Sequence, residues 1–335
     1  MELQEYIQTL NDLREITTIH REIKYHKDHD LIIFKYKYNQ LNHNSVKWKR
    51  YCRGCVIDNN KNILMIPPIK AKEISLDEMK TKYDSINNII FKELIDGIMV
   101  NIFYDHSKQI WKMSTRSEIN CNNKWNHKNF RDLFYECCPE FTFDLLDKDN
   151  TYSFIIRHKD NRIISPIEKN MVILVEVRDQ KSYDLINLDD INLECEKIQS
   201  VPYEEVKTNL ENKKLFFGIK GYTFYDNNER YKVINENYKY VTSIKPNTND
   251  LPYCYLETKK SKNLNQYLKY FPENRNQFNI YKDILYKYTR TLYEYYCNSF
   301  IHHKIKKTDI PYEYKNIIYD LHNIYKTENK KIDWK

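Results

Sequence analysis

The chain has 335 residues and 41% of them are hydrophobic, so it is long enough to bury a core and is not expected to be disordered. Its 54 Lys and Arg residues against 47 Asp and Glu give a net charge of +7, which permits a polyanionic partner without identifying one. No apolar run approaches the roughly 20 residues that span a bilayer, and the eight cysteines show no disulfide framework, so we expect no membrane partner and a reducing, cytoplasmic setting.

Short apolar runs in the first two thirds of the chain predict β-strands. Before these runs, an amphipathic pattern over Met1 to Arg14 predicts a helix and not a signal peptide. Connections too short for a crossover helix favour antiparallel pairing, so the predicted class is α+β, with mainly antiparallel sheets and flanking helices. The runs that predict strands are Leu31 to Tyr36, Cys55 to Asp58, Ile89 to Ile95, Ile98 to Tyr104, Trp111 to Ser114, Tyr152 to Ile156, Met171 to Val177 and Leu215 to Tyr225.

The pattern becomes helical from about Leu251, which predicts a small all-helical C-terminal domain over 246–335 after a first domain over 1–245. Asp309 and Pro311 are start signals for the last helix. The tail is rich in tyrosine, which suits a surface for a protein partner. Two predicted apolar faces consist of Ile284, Leu285, Tyr288, Leu292 and Tyr296, and of Ile317, Ile318, Leu321, Ile324 and Tyr325.

Several features have an ordinary interpretation beside a functional one. The 30 tyrosines fit either an AT-rich genome or the stacking of single-stranded bases. Cys52 and Cys55 have the spacing of a zinc knuckle, but no second pair matches it, and structural cysteines are the simpler interpretation. Basic clusters at Lys259 to Lys262 and His302 to Lys307 are either phosphate contacts or solvated faces. His158 near Asp160 is a weak candidate for acid-base chemistry.

The most informative segment is Phe91-Lys92-Glu93-Leu94-Ile95-Asp96-Gly97, which is followed by the apolar run Ile98 to Phe103. A strand, a tight Asp-Gly and a second strand predict a hairpin-like element that holds a side chain over a pocket. Asp-Gly alone occurs in any turn. The segments around it make the pattern more specific.

An ordered series of segments surrounds this element. Upstream are Tyr51 to Asp58 and Pro67 to Lys70, and downstream are Ser114 to Ser117, Asn161 to Ile164, Leu174 to Arg178, Gly221 to Thr223 and Tyr231-Lys232. Over roughly Leu31 to Val241, this series resembles the N-terminal domain of the phage RNA ligase 1 family, including its relatives in large DNA viruses. The resemblance implies a nucleotidyltransferase fold that uses ATP and magnesium to join RNA ends through a lysine-AMP adduct.

The resemblance also implies which residues surround the nucleotide. Lys232 matches the first of two pocket lysines that grip the α-phosphate, and the second falls on Ile234. The chemistry requires cations on the phosphates, carboxylates on a metal ion and a neutral lysine amine as nucleophile. The nucleotide-binding positions that it assigns are Tyr36, Arg53, Lys70, Asp96, Gly97, Arg116 and Lys232.

The chemistry is missing at the centre of this pattern. The family nucleophile falls on Leu94, which cannot attack phosphorus, and two family glutamates fall on Ile155 and Lys220, so no metal ligands are assigned. These losses favour a pseudo-ligase that binds RNA, a nucleotide or a protein. Two alternatives remain. The first is an active ligase with Lys92 as a substitute nucleophile and a metal held by Asp96, Glu93 or Glu176. The second is a structural or assembly protein built on a repurposed ligase fold.

Overall fold

The sheets lie in the first two thirds of the chain, and the last third is helical. The structure is a computed structural model, and it describes residues 2–37, 47–84, 89–125, 127–248 and 250–333. The chain divides into two compact units, unit 1 over Met1–Ser243 and unit 2 over Ile244–Lys335. The predicted α+β class, with antiparallel sheets and a helical C-terminal region, is confirmed.

The strands of unit 1 follow the apolar runs of the sequence, because β-branched and aromatic residues suit a pleated, half-buried surface. In chain order they are β1 (Ile23–Asp28), β2 (Leu31–Tyr36), β3 (Arg53–Asp58), β4 (Ile63–Met65), β5 (Lys72–Glu73), β6 (Phe91–Glu93), β7 (Ile98–Asp105), β8 (Ile110–Ser114), β9 (Lys124–Trp125), β10 (Lys128–Asn129), β11 (Asn150–Arg157), β12 (Met171–Asp179), β13 (Leu185–Ile186), β14 (Glu196–Lys197), β15 (Ser200–Val201), β16 (Gly221–Asp226) and β17 (Glu229–Ile234). The helices between them are α1 (Glu2–Thr9), α2 (Glu15–Ile19), α3 (Leu76–Tyr83), α4 (Phe130–Cys137), α5 (Tyr203–Glu211) and α6 (Glu236–Ile244).

Three larger sheets organise unit 1. Strands β1 to β4 form an antiparallel meander. The central sheet has the order β13-β12-β11-β7-β8, with β14 parallel to β12. The flanking sheet has the order β15-β6-β16-β17-β5, in which β17 and β5 are parallel and the other pairs are antiparallel. The short pair β9 and β10 stands apart from these sheets.

Helices cover one face of the central sheet and one face of the flanking sheet. Phe134 of α4 packs against Phe154 of the central sheet, with no exposure of either ring. Met79 of α3 and Val206 of α5 pack in the same way against Phe224 of the flanking sheet. Each buried side chain of this size contributes about 1.5–3 kcal/mol. The two sheet faces that the helices leave open are therefore available to form the walls of a cleft.

The predicted N-terminal helix is broken into two. Helix α1 ends at Thr9, and α2 begins at Glu15. Between them, the Asp12 carboxylate accepts a hydrogen bond of 2.8 Å from the Arg14 backbone N–H, and the Asp12 backbone N–H donates to the Glu15 carboxylate at 3.1 Å. Such local hydrogen bonds compete with the i to i−4 hydrogen bonds of a helix, so the first helix ends and a second one begins after a turn.

The predicted Asp96-Gly97 hairpin is wrong. Strand β6 pairs with β16 in the flanking sheet, whereas β7 pairs with β11 in the central sheet, so residues 94–97 cross from one sheet to the other. Gly97 makes the crossing possible, because a Cβ there would lie 2.4 Å from the Ile156 carbonyl oxygen. The strand predicted from Leu215 is also shorter than expected, because it begins only at Gly221.

Unit 2 consists of α7 (Leu251–Lys260), α8 (Leu264–Tyr270), α9 (Arg275–Tyr296), a π-helical segment over Cys297–Ile301 and α10 (Tyr312–Glu328). The predicted start of the last helix is confirmed, since Pro311 is its N-cap. The predicted apolar faces are only partly buried: Leu292, Tyr296 and Ile318 form a core, but Ile284 is 58% exposed. No described helix is long and apolar enough to cross a membrane.

Candidate functional site

A cleft opens between the central and flanking sheets of unit 1. Its larger chamber has a volume of about 740 Å³. A smaller chamber of about 340 Å³ adjoins it, and the two share Arg53, Gly97, Met99 and Arg116 as lining residues. We refer to both chambers together as the cleft. Arg53 and Arg116 thus stand at the junction, where a ligand that occupies both chambers would pass.

Most of the positions that the family pattern assigned lie in this cleft. Tyr36 lines the smaller chamber, and the crossing segment that contains Leu94 lines the larger one. Side chains from distant parts of the sequence thus meet here because the crossing segment joins the two sheets. The larger chamber holds Arg53, Lys92, Leu94, Asp96, Gly97, Arg116, Ile155 and Lys220.

Lys70 and Lys232 line neither chamber. The Lys232 ammonium forms an ion pair of 2.9 Å with Glu73, because the parallel pairing of β17 with β5 brings these residues together. The Lys70 ammonium lies 5.1 Å from the centre of the Tyr36 ring, in a cation–π arrangement. Both lysines therefore stand beside the cleft, and Lys232 already has a carboxylate partner.

Gly54 brings Arg53 and Arg116 together. Its φ of +104° is one that side chains rarely permit, and a Cβ there would lie 2.8 Å from the Arg116 Cα atom. The missing side chain lets the loop after β8 approach β3 closely. Any larger residue at position 54 would push the two arginines apart.

Substitution of Gly54 by alanine is accordingly expected to destabilise the chain by more than about 1 kcal/mol, through strain and backbone overlap. It should also weaken phosphate binding, because Arg116 is displaced. Thermal unfolding and ligand titration of Gly54→Ala check both effects. Gly218→Ala is the matched control, since the three atoms nearest to its Cβ would all belong to the exposed ring of Phe216 and not to backbone. Equal effects of the two substitutions would contradict this role of Gly54.

The arginines of the cleft have no carboxylate partners among the described residues. Arg53 donates to the Pro68 carbonyl at 3.0 Å, and Arg230 donates to Thr223 Oγ1 at 3.2 Å. Arg116 forms no hydrogen bond or ion pair in the described part of the chain. Burial, then the charges of Arg116 and Arg230, lowers the pKa of Arg53 to about 10. Such mutual repulsion would be relieved by a bound anion.

Asp96 is a structural anchor under the cleft and is only 6% exposed. Its Oδ2 atom accepts hydrogen bonds from the Ile164 and Ser165 backbone N–H groups at 2.9 and 3.0 Å. Its Oδ1 atom accepts from Lys220 at 3.1 Å and from the Tyr238 hydroxyl at 2.7 Å. Burial raises the pKa of Asp96, but Lys220 and these hydrogen bonds outweigh it, and the net pKa is lowered.

Lys92 and Leu94 both line the larger chamber. The Leu94 backbone N–H donates to the Gly221 carbonyl at 2.7 Å, which continues the β6 pairing and fixes the position of this side chain. Lys92 is half-buried, and burial lowers its pKa, although Glu176 and Asp189 oppose that shift. The apolar side chain thus occupies the nucleophile position, and an amine lies two residues before it.

Sequence reasoning missed three residues that shape the cleft. Arg230 lines the larger chamber and Lys35 the smaller one, while Tyr238 reaches Asp96 from α6. Arg230 could have been found, since strand side chains alternate and it lies two residues before Lys232. The contact of Tyr238 leaves no such signal, because it joins residues 142 positions apart.

A second cluster of polar side chains already has a lysine bound between its carboxylates. Glu136, His158 and Asp160 have ligand atoms within 4.8 Å of one another. The Lys128 ammonium bridges the two carboxylates, at 2.7 Å from Glu136 and 3.0 Å from Asp160. The His158 Nδ1 atom accepts a hydrogen bond from the Asp160 backbone N–H, so the lone pair of that nitrogen is not available to accept a proton from a substrate. This cluster is therefore a lysine-centred ion network and not an acid-base pair.

The two cysteines with knuckle spacing are packed in the core. Cys52 and Cys55 are free, and neither is exposed. Burial raises the pKa of both thiols. Because metal binding requires a thiolate, these environments favour the structural interpretation of both residues.

Comparisons with known proteins give structural matches only. No protein-family model matches the chain, and no curated protein sequence does. A putative ATP-dependent DNA ligase from Aquifex aeolicus aligns over 95% of this chain and 80% of its own, with 14% identity and a TM-score of 0.46. An archaeal ATP-dependent RNA ligase aligns over 76% and 68%, with 13% identity and the same TM-score. A Naegleria gruberi RNA ligase mutant with ATP and Mn aligns over 50% and 56%, with 10% identity and a TM-score of 0.36.

The three neighbours are described as DNA or RNA ligases. All three TM-scores lie below 0.5, and all three identities are 14% or less. Such a likeness says nothing about the chemistry of the cleft. What the cleft binds must follow from the residues of this chain.

Proposed function

We propose that the chain is an RNA-ligase-like nucleotidyltransferase-fold protein that binds a phosphorylated ligand in the cleft and has lost lysine self-adenylation. The ligand is an ATP-type nucleotide or the 5′-phosphate end of an RNA, which share the same phosphate chemistry. The observation that carries the proposal is the junction of the two chambers, where Arg53 and Arg116 meet without a carboxylate partner among the described residues.

Clustered cations of this kind are costly unless an anion joins them. Burial, and then the charges of Arg116 and Arg230, lowers the pKa of Arg53. A guanidinium group can bind two phosphate oxygens at once, and each of these charge-assisted hydrogen bonds is about twice as strong as a neutral one. A phosphate at the junction would convert mutual repulsion into attraction, so the cleft is suited to a polyanion.

The walls of the larger chamber add a place for a flat apolar group. Ile155, Ile163, Val175, Ile186 and Ile198 line it, together with Leu94. An aromatic base fits such walls while its phosphates reach the arginines. A nucleotide, alone or at the end of an RNA, would therefore place its base against the apolar walls and its phosphates at the arginines.

The same residues account for the loss of the adduct. Leu94 has no lone pair with which to attack the α-phosphorus, and Ile155 replaces a carboxylate with an alkyl group. Lys220 carries the opposite charge to the family glutamate and is bound to Asp96. Binding requires only fixed positive charge, whereas transfer requires the groups that have changed.

Equilibrium titration tests the binding. We expect the chain to bind ATP, and to bind a short 5′-phosphorylated RNA more tightly than the same RNA with a 5′-hydroxyl. Both interactions should weaken as salt rises, because phosphate contacts release counterions. Absence of ATP binding, together with equal affinity for the two RNAs, would contradict the proposal.

An active ligase that uses Lys92 is the second candidate. It is favoured by one observation, the lowered pKa of an amine that lines the chamber. A neutral amine is the form that attacks phosphorus. This candidate predicts an AMP adduct that disappears in Lys92→Ala, whereas the proposed pseudo-ligase forms none.

A protein partner on unit 2 is the third candidate. Ile284 of α9 and Tyr312 of α10 are 58% and 88% exposed, so these helices present apolar and aromatic surface. An assembly role predicts a stable complex that is indifferent to nucleotides. Co-purification of the full chain with and without excess ATP distinguishes it, since a complex that ATP disrupts would point back to the cleft.

A further inference from the structure

The carboxylates that line the larger chamber are poor ligands for a divalent metal. The family resemblance implies magnesium on the nucleotide phosphates, held by protein oxygens with free lone pairs. Four acidic residues line the chamber: Glu93, Asp96, Glu176 and Asp189. Whether they fit a metal depends on what each carboxylate already binds.

Asp96 and Glu176 each have hydrogen-bond partners on both carboxylate oxygens. Asp96 accepts four hydrogen bonds, one of them from the Lys220 ammonium. Glu176 is 7% exposed; its Oε1 atom accepts from Arg178 at 2.8 Å, and its Oε2 atom accepts from the Tyr225 hydroxyl at 2.7 Å. A metal at either site would have to displace a buried cation or a buried hydroxyl, which leaves an unsatisfied group behind.

The remaining two carboxylates do not complete a site. Glu93 is half-buried, and burial raises its pKa, which disfavours the charged form that a metal needs. Asp189 lies exposed on the turn over Leu188–Asp190. Among the described residues, the ligand atoms of three His, Cys, Asp or Glu side chains converge only at Glu136, His158 and Asp160, none of which lines the cleft.

Positive charge is instead supplied by side chains. Lys220 stands where the family has a glutamate, and its ammonium lines the larger chamber beside Asp96. Arg53, Arg116 and Arg230 add three further cations. A magnesium complex of ATP carries less negative charge than free ATP, so these three arginines, which form no ion pair among the described residues, favour the free anion.

We infer that the cleft takes its phosphorylated ligand as the metal-free anion, with Lys220 and the arginines supplying the charge that a divalent cation would otherwise supply. This inference rests on the proposed function and specifies the form of its ligand. It departs from the metal requirement that the family resemblance implies. It also explains why a lysine is compatible with a position where the family has a glutamate.

The test is a titration of the full chain with ATP in EDTA and then in excess magnesium. We expect tight binding in EDTA, and an affinity about threefold or more weaker in magnesium, since part of the ligand charge is neutralised. Binding that requires magnesium would overturn this inference and leave the proposed function intact. No ATP binding under either condition would overturn this inference, and it would overturn the proposed function as well only if the 5′-phosphorylated and 5′-hydroxyl RNAs also bound equally.

Two variants separate Lys220 from general charge effects. Lys220→Glu returns the family carboxylate and should weaken ATP binding in EDTA about tenfold or more, with partial recovery in magnesium. Lys220→Gln removes the charge alone and should weaken binding in both conditions. Lys214→Glu, at an exposed position outside the cleft, is the matched control with the same charge change; an equal effect of Lys214→Glu would overturn the role of Lys220.

Discussion

Replacement of Asp96 by alanine is expected to lower the free energy of unfolding by about 3–5 kcal/mol, because it leaves a buried charge and its partners unpaired. The substitution removes the common acceptor of Lys220, the Tyr238 hydroxyl and two backbone N–H groups. These partners come from three separate segments, which the carboxylate holds together. Urea unfolding of the variant and of the unmodified chain, followed by circular dichroism, measures the difference.

Asp189→Ala is the matched control. Its carboxylate lines the same chamber but lies exposed, so its loss should change the free energy of unfolding by less than about 0.5 kcal/mol. Tyr238→Phe removes one of the four hydrogen bonds and should cost about 1–3 kcal/mol, since Lys220 and the backbone remain bound. If Asp96→Ala were no more destabilising than Asp189→Ala, Asp96 would not be the anchor of the crossing segment.

The dependence of stability on pH also tests the role of Asp96. The pKa of Asp96 in the folded chain lies below its ordinary value of 3.8, because Lys220, Tyr238 and the backbone N–H groups outweigh burial. A carboxyl group with a lowered folded pKa adds stability above its unfolded pKa and loses it as pH falls through the folded value. Asp96→Ala should therefore flatten the acid limb of the stability profile below about pH 3.8.

Replacement of both Arg53 and Arg116 by alanine is expected to weaken ATP binding by about 100-fold or more, because each charge-assisted contact contributes about 1.5–3 kcal/mol. Both side chains line the junction of the chambers, and neither forms an ion pair with a carboxylate of the described residues. For 5′-phosphorylated RNA, the salt dependence should also become shallower by about one power of salt for each lost phosphate contact. Titration at several salt concentrations measures both quantities.

Stability distinguishes a binding role of these arginines from a structural one. Burial, and then the charges of Arg116 and Arg230, lowers the pKa of Arg53, and the double variant removes this cost together with the hydrogen bonds of Arg53 to Pro68 and Tyr36. We therefore expect the double variant to be about as stable as the unmodified chain. The double variant Arg14→Ala and Arg290→Ala removes two exposed arginines and should leave ATP binding unchanged. Equal binding by the two double variants would contradict the proposed site.

The ordered motifs of the sequence predicted many residues of the cleft, because the strands that carry these residues are visible as local apolar runs. The family resemblance assigned Arg53, Arg116 and Leu94 to the site, and apolar runs predicted the strands that carry them: Arg53 begins a strand, Arg116 follows one, and Leu94 continues one. The path between the strands could not be read in this way. Asp-Gly fits a hairpin turn as well as a crossing, and only the pairing of β6 with β16 decides between them.

Contacts across long sequence distances explain the remaining differences. The family resemblance places Lys232 at the phosphates, but β17 lies beside β5, and Lys232 forms an ion pair with Glu73, which is distant in the sequence. In unit 2, helical spacing predicted the helices but not their buried faces, because Leu292 and Ile318 share a core that Ile284 does not reach. Periodicity identifies which residues share a face, whereas packing decides which face is covered.

Intact-mass spectrometry tests the central claim, a cleft that binds ATP without forming an adduct on its lysine. The chain would be incubated with ATP and magnesium or manganese under conditions in which titration shows the nucleotide bound, alongside Lys92→Ala and Leu94→Lys. We predict an unchanged mass for the unmodified chain and for Lys92→Ala, while any adduct on Leu94→Lys would show that the cleft still orients the α-phosphate. A gain of one adenylyl group on the unmodified chain that disappears in Lys92→Ala would contradict the pseudo-ligase and establish a relocated nucleophile.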